Sequence, residues 1–337
     1  MTYTSKTSTS STSSTSSTET TTTSTPTASL FVNGHFPRRR ALVILVSALF
    51  GFALTVVWSA EFVDRTIGGN VAAALLGHEA HDAPIGGALA GVAFALATGV
   101  AGTFTACNVA AFSAIAPLAG AGTVPTRRGR MARVLRPLGP LAAGAVVVSA
   151  AYGVVVALVG TGMPQFQESA PGGVSAGLSP RTIQAMVVFG LIGLVMVVFG
   201  LAALGLVRDP LARVSARFPG APMFVMGALI GAFLIGRPFP LFRQLFRDAA
   251  ESHNVLYGAV AFSLQALGNV LIMAVLFVVM ALVAGERLGT WFAADPRRAS
   301  AVTAAAFIAA GVFMILYWDV RILARRDLIW YPMAPWA

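Results

Sequence analysis

Long apolar runs separated by short polar segments make up most of the chain after residue 40. A run of about 20 apolar residues is long enough to cross the hydrocarbon layer of a bilayer. A segment surrounded by lipid must satisfy its own backbone hydrogen bonds, which favours helix. The pattern therefore predicts an all-α integral membrane protein with about seven transmembrane helices. The runs are residues 41–60, 86–122, 141–160, 182–207, 222–250, 255–285 and 300–319.

Two of these runs are interrupted by residues that do not suit a continuous helix. Residues 86–122 contain "TGVAGTFTACN" and are too long for one span, and residues 222–250 contain "GRPFPLF". Pro238 and Pro240 each lack an amide hydrogen and forbid regular helix at that point. Such breaks in corresponding runs of two halves are typical of the discontinuous helices in a transporter-like core. The glycines in "GVAFALATG" and "GALIGAF" predict close approach of neighbouring helices.

The order of the runs divides the chain into two halves after the first helix. In each half a broken run precedes two plain runs, which predicts a first three-helix repeat over residues 86–207 and a second over 208–319. Because each repeat crosses an odd number of times, the second is expected to be inverted relative to the first. The other predicted segments are a disordered Ser/Thr-rich tail (1–40), an N-terminal anchor helix (41–60), an extracytoplasmic loop (61–85) and a C-terminal tail (320–337).

Arginine gives the chain its net charge of +10, but the positions of the arginines indicate topology and anionic lipid, not nucleic acid. Residues 38–40 are all arginine and precede the first run, which predicts a cytoplasmic N-terminus. The expected location is a bacterial-type inner membrane. The first run is expected to remain as an anchor, with cleavage after Ala60 in "WSAEF" as the alternative. For residues 222–250, the arginines near the end of the chain slightly favour a re-entrant hairpin, whereas the repeat favours a full crossing. Seven crossings remain the prediction, because the first strongly charged loops usually dominate orientation.

Cys107, within "GTFTACNVAAF", is the only cysteine, so the chain cannot form an internal disulfide. It is a candidate redox thiol, because the N-terminus of a half-helix would lower the pKa of a thiol there. In the alternative it is a small buried residue that packs like alanine. Asn108 follows it and belongs to the same polar break.

Arg237 is a charge inside a membrane run, and such charges usually face a cavity or a partner. Together with Pro238 and Pro240 it is a candidate for a substrate path, where the prolines leave carbonyl groups free. Gln265 and Asn269 lie four residues apart on one face of the next helix. They either line the same path or hold neighbouring helices together.

His78 and His81 in "GHEAHD", together with His253, form a candidate metal site. On a helix, the spacing of His78 and His81 would let both imidazoles reach one metal ion or a haem iron. The alternative is a solvated polar loop. The sequence specifies no cofactor, so whether the protein is an enzyme stays open.

The arrangement resembles the cytochrome c biogenesis transmembrane family (CcdA/DsbD-like). The resemblance covers roughly residues 86–319 and rests on "GTFTACNVAAFSAIAPL" and on "GALIGAFLIGRPFPLFRQLF" at the matching place. It implies transfer of reducing equivalents from cytoplasmic thioredoxin through a cysteine in the first helix of each repeat. Cys107 matches the first cysteine, but residues 237–241 of the second repeat contain no thiol, and Asn108 stands where the family usually has proline.

The expected function is a membrane assembly or maturation factor for an extracytoplasmic redox protein. A thiol–disulfide relay needs both an attacking and a resolving thiol, so this chain is not expected to be a self-contained relay. Membrane lipid and thioredoxin-like, cytochrome-type or oxidase-type redox proteins are the expected partners. The alternatives are a secondary transporter of a small anion or metal ion on the same scaffold, and a structural membrane subunit of a redox complex.

Overall fold

A computed structural model describes residues 29–59, 88–101, 135–166, 178–236, 240–283 and 285–335, with the single positions 70, 129 and 132. Two short 3-10 turns span Gly160–Gly162 and Pro164–Phe166, and a π-helical turn spans Leu316–Val320. The described residues contain no strand. The helices are α1 (Arg40–Val57), α2 (Ala88–Ala101), α3 (Leu138–Val159), α4 (Pro180–Ala203), α5 (Ala212–Arg217), α6 (Ala221–Gly236), α7 (Pro240–Ser252), α8 (Val255–Val283), α9 (Gly285–Ala294), α10 (Pro296–Ile315) and α11 (Arg321–Arg325).

Several helices are long and apolar enough to cross a membrane. In the described part of the chain there are five: Arg40–Val57, Leu138–Gly162, Pro180–Ala203, Val255–Met280 and Pro296–Arg325. Two further apolar helices, Gly91–Val100 within α2 and Ala221–Gly236, are shorter. The outer surfaces of the long helices carry large apolar side chains such as Leu158 of α3 and Leu191 of α4, which are 67% and 60% exposed and would be covered by lipid. The prediction of an all-helical, multi-pass membrane protein is confirmed.

The apolar helices pack against one another in the order α2, α8, α3, α6, α4, α10, α1. Contacts at glycines give their relative directions, because small residues let two backbones touch. The helix α2 runs parallel to α8, and α6 runs parallel to α3. These directions follow from four contacts: Gly91 with Tyr257 and Gly99 with Gln265 for α2 and α8, and Gly144 with Phe224 and Gly231 with Ser149 for α3 and α6. The predicted close approach at "GVAFALATG" and "GALIGAF" is confirmed.

Two other helix pairs are antiparallel and cross where two glycines face each other. A Cβ atom on Gly153 of α3 would lie 2.1 Å from the carbonyl oxygen of Gly258 of α8. In the same way, a Cβ atom on Gly193 of α4 would lie 2.8 Å from the carbonyl oxygen of Gly311 of α10. Further along, the end of α3 at Gly160 meets His253, just before α8 begins. Each pair is therefore as close as two backbones without side chains allow.

The helix α7 is amphipathic and lies across the ends of its neighbours. It contacts α2, α3, the first 3-10 turn and α8. Its buried face consists of Phe242, Leu245, Phe246, Ala249 and Ala250. The opposite face carries polar and charged residues, so α7 has the pattern of a helix at the boundary between apolar and aqueous surroundings.

Both ends of the described chain pack against the helices. Residues 29–39 belong to the segment predicted as a disordered tail, but Phe31 is buried, with its ring centroid 5.1 Å from that of Phe307. At the other end the last helix continues past residue 319, the predicted end of the last run, to Arg325. The chain then returns to the end of α1, where the Ala334 amide donates to the Val56 carbonyl over 3.0 Å.

Candidate functional site

The structure locates some of the sequence-predicted site residues and not others. Pro240 and His253 lie at the two ends of α7, whereas Gln265 and Asn269 lie together on α8. The rest fall outside the described residues, so their roles stay predictions: Cys107, Asn108, Arg237, Pro238, His78 and His81.

Pro240 is the first residue of α7, where a missing amide hydrogen costs nothing because that position has no helical acceptor. His253 is exposed, has a φ of 48° and forms the turn before α8. Its imidazole Cε1 lies only 2.5 Å from where a Cβ of Gly160 would be, so it packs against the end of α3. Within the described residues no three His, Cys, Asp or Glu side chains come together as metal ligands. The predicted metal site depends on His78 and His81 and remains a prediction.

Gln265 is the most deeply buried of the predicted site residues that the structure describes. It is 1% exposed, and neither amide atom of its side chain has a hydrogen-bond partner among the described residues. Leaving such a group unpaired costs about 1–3 kcal/mol. A Cβ atom on Gly99 of α2 would lie 2.1 Å from the Gln265 carbonyl oxygen and 3.1 Å from the Asn269 amide nitrogen. The two amide residues therefore meet α2 at one point, as their spacing predicts.

A second polar group, which sequence reasoning missed, surrounds the end of α6. It consists of the side chains of Tyr152, Gln165 and Gln184 with the carbonyl of Ile235, and is named here the α6-end cluster. The Ile235 carbonyl accepts from Gln184 Nε2 over 2.9 Å and from Gln165 Nε2 over 3.2 Å. Gln165 also donates to the Tyr152 hydroxyl. Carbonyl groups at a helix end lack helical donors, and the two amides supply them here.

The α6-end cluster has hydrogen-bonding capacity to spare. The Oε1 atoms of Gln165 and Gln184 are buried without a partner among the described residues. The cluster lies directly before positions 237–239, the break predicted from the prolines. One signal was available in the sequence, because Gln184 is an uncharged polar residue near the start of an apolar run. Its contact with Tyr152 and Gln165 depends on how the helices pack, so no local pattern in the sequence predicts it.

Arg321 forms a third polar group, at the end of α1, and also escaped prediction. It is 1% exposed, and its Nη1 donates to the carbonyls of Thr55 and Trp58 over 2.9 and 2.7 Å. Its guanidinium carbon lies 4.7 Å from the centroid of the Tyr317 ring. A cation is favourable at a helix C-terminus and over an aromatic face, which accounts for its burial. Its Nε and Nη2 have no partner in the described part of the chain.

Comparisons of the chain with models of protein families, with curated proteins and with solved structures found no match. The fold therefore defines the class: this is an all-helical, multi-pass membrane protein. Within it the structure describes two buried polar groups next to the predicted helix breaks. Gln265 lies against α2, the helix that leads to Cys107, and the α6-end cluster lies at the end of the helix that leads to Arg237.

Proposed function

We propose that the protein is a membrane carrier built from two inverted three-helix repeats. In this proposal α1 is an anchor helix that begins at the cytoplasmic side, and the chain crosses the membrane seven times. The observation that supports it is the set of helix directions. The first repeat is α2, α3 and α4, and the second is α6, α8 and α10. A two-fold axis in the membrane plane exchanges such repeats. Such an axis makes α3 antiparallel to α8 and α4 antiparallel to α10. It also makes the packing of α2 on α8 equivalent to that of α6 on α3. In the structure, the first two pairs are antiparallel and the last two are parallel.

The glycine crossings agree with the same exchange. It pairs α3 with α8 and α4 with α10, and each of these pairs crosses at two facing glycines. It also pairs α2 with α6, which are the two shorter apolar helices. Each of these two helices leads into a break predicted from the sequence. A carrier of this class places its substrate where the broken helices meet.

The first cargo that we propose is reducing equivalents. The protein would then be a maturation factor that supplies them to an extracytoplasmic redox protein. This follows the family resemblance and uses Cys107 as the attacking thiolate. Because the chain contains one cysteine, the thiol that resolves the mixed disulfide must come from another polypeptide, either a partner protein or a second copy of this chain. Gln265 supports a polar path beside α2, since its side-chain amide is buried without a partner among the described residues and its backbone lies against Gly99 of α2. In the sequence, Cys107 follows shortly after the end of α2.

A second candidate cargo is a small anion, and the α6-end cluster favours it. Amide and hydroxyl groups at the end of a broken helix can replace part of the hydration shell of a solute. Arg237, which follows α6, would supply the positive charge that an anion needs. In this case Cys107 has no chemical role.

Substitutions at the two breaks separate these cargoes. Cys107→Ala should abolish reduction of extracytoplasmic thiols if the first proposal holds, because no other thiol can take its place. The measurement is alkylation of a client protein's cysteines in cells that express either form. Arg237→Ala should instead lower anion uptake into proteoliposomes by at least tenfold, since a single buried charge-assisted contact is worth about 1.5–3 kcal/mol.

Arg213→Ala, on the short helix α5, is the matched control for the loss of an arginine and should leave uptake unchanged. If Cys107→Ala and Arg237→Ala proteins both keep wild-type thiol reduction and uptake, both carrier proposals are wrong. The remaining candidate would then be a structural subunit, whose polar residues only hold helices together.

A further inference from the structure

Asp319 is the only acidic residue in the five described helices that are long and apolar enough to cross a membrane. It belongs to the π-helical turn Leu316–Val320, inside the span Pro296–Arg325. An ionisable residue within a span is costly to keep and usually marks an ion path or a proton relay. A π-helical turn inserted in a longer helix is frequent at functional sites. Sequence and backbone therefore mark the same position.

The depth of Asp319 follows from its contact with α4. A Cβ atom on Gly190 of α4 would lie 3.0 Å from Oδ2 of Asp319 and 3.3 Å from Oδ1. Gly190 comes ten residues after Pro180, where α4 begins, and thirteen before Ala203, where it ends. The carboxyl group therefore lies beside the middle of α4, a helix long enough to cross the bilayer.

Asp319 forms no ion pair with the described residues. Its Oδ2 atom is buried without a hydrogen-bond partner among them. Its turn packs against α1, α4, α10 and α11, whose basic residues are Arg40, Arg181, Arg297, Arg298, Arg321 and Arg325. The first four lie in the first turns of their helices, and Arg325 is exposed. Arg321 instead donates to carbonyls at the end of α1, and its guanidinium lies over the ring of Tyr317, the other titratable residue of the turn.

A proton is the cation that suits this position. Calcium and magnesium ions need about six or more oxygen ligands, and within the described residues no cluster of acidic, histidine or cysteine side chains forms. A proton needs one carboxyl oxygen and no additional room, so the close contact with Gly190 does not exclude it. Binding of a proton also removes the cost of a charge that has no counter-charge inside the membrane.

The π-helical turn is in packing contact with the end of α6. The ring centroid of Trp318 lies 4.4 Å from that of Phe189 on α4. On its other side, Phe189 packs against Gly236, the last residue of α6, where a Cβ atom would lie 2.9 Å from the phenyl ring. One aromatic ring therefore lies between the turn that carries Asp319 and the helix end that precedes the predicted break at 237–239.

We propose that Asp319 binds and releases a proton within the membrane, and that this step couples movement of a small anion to the proton gradient. The proton is taken from water on one side and released to water on the other, so no further reactant is needed. An anion that moves with a proton carries less net charge across the bilayer. The coupling rests on the anion carrier proposed above, whereas proton binding by Asp319 does not.

Infrared difference spectroscopy tests proton binding in the full-length protein reconstituted in lipid vesicles. Spectra recorded at acidic and at alkaline pH should contain the C=O stretch of a protonated carboxyl group that is lost in Asp319→Asn. The matched control is Asp327→Asn, an exposed aspartate that follows α11, which should keep this band. If Asp319→Asn does not fold, Asp319→Glu retains a carboxyl group and should shift the band. A band that is unchanged in these Asp319 variants would overturn the proposal.

Uptake into proteoliposomes tests the coupling, with chloride, nitrate and sulfate as probe anions. An outside-acid pH gradient should accelerate uptake by the wild-type protein and by Asp327→Asn, and Asp319→Asn should lose this acceleration. Wild-type uptake that does not respond to the gradient would overturn the coupling. If the wild-type protein takes up none of the probe anions, the anion carrier and the coupling are both wrong, and the infrared band still decides whether Asp319 binds a proton.

Discussion

At the residue scale, the buried glutamines differ in how their amide groups are used. Gln184 donates from Nε2 to the Ile235 carbonyl at the end of α6, whereas both amide atoms of Gln265 are unpaired within the described residues. A glutamine that makes a hydrogen bond stabilises the fold, and one that makes none destabilises it by the cost of burying a polar group. Stability measurements can therefore distinguish residues that hold helices together from residues whose polar groups do not stabilise the fold.

We expect Gln265→Met to raise the free energy of unfolding by about 1 kcal/mol, because it removes a buried amide that has no partner among the described residues, with little change in volume. Gln184→Met is the matched control and should lower the free energy of unfolding by about 1 kcal/mol, since the Ile235 carbonyl loses a donor. Denaturant unfolding in one detergent measures both. A loss of stability in Gln265→Met would mean that its amide has a partner and serves to hold helices together.

At the element scale, glycines decide how closely the helices approach. The packing of α6 on α3 depends on Gly227, where a Cβ atom would lie 1.8 Å from the Leu141 carbonyl oxygen. That atom belongs to the backbone, so it cannot rotate away as the tip of a side chain could. The sequence shows that glycine is spaced four residues apart on α6, but it does not show which helix lies opposite.

Gly227→Ala should lower the free energy of unfolding by about 3 kcal/mol, because α6 and α3 must separate to admit the methyl group. Gly139→Ala is the control on α3, since nothing lies within 4 Å of a Cβ atom at that position. It should leave stability unchanged or raise it by up to about 1 kcal/mol, as alanine favours helix over glycine. Similar losses in both variants would contradict the close α3–α6 contact.

At the scale of the whole molecule, the directions of the helices bear on whether α6 crosses the membrane. The helix α6 runs parallel to α3, and α8 starts beside the end of α3, where His253 contacts Gly160. The segment before α6 lies beside the start of α3, and the segment after α7 lies beside its end. The two segments are therefore at opposite ends of the packed helices. A re-entrant hairpin would return both segments to the same end.

Single cysteines in a Cys107→Ala background can test this topology with a membrane-impermeant maleimide. Ala216→Cys and Thr290→Cys should be labelled from one side of the membrane, and Glu251→Cys from the other. All three positions are exposed, so failure to react reports the side of the membrane and not burial. Labelling of residues 216 and 251 from the same side would exclude seven crossings.

The sequence by itself determined the class of protein and, where the structure describes both ends of a predicted run, the approximate limits of the helices. The length of an apolar run and the missing amide hydrogen of a proline are local properties, so they can be read without knowing the fold. The pairing of Gln265 with Asn269 on one face was also predictable, because helical periodicity sets it. The position of that pair against Gly99 was not, since it depends on which helix lies opposite.

Only the tertiary structure decided which distant residues meet. Arg321 reaches the carbonyl of Trp58 across 263 positions, and Gln165 and Gln184 meet at Ile235 from separate elements. Phe31 belongs to the segment predicted as a Ser/Thr-rich tail, but its ring is buried and packs against that of Phe307. These contacts arise from the order and direction of packed helices, which no local pattern encodes. The polar groups next to the two predicted breaks could be recognised as candidate sites only from that packing, because it brings their members together.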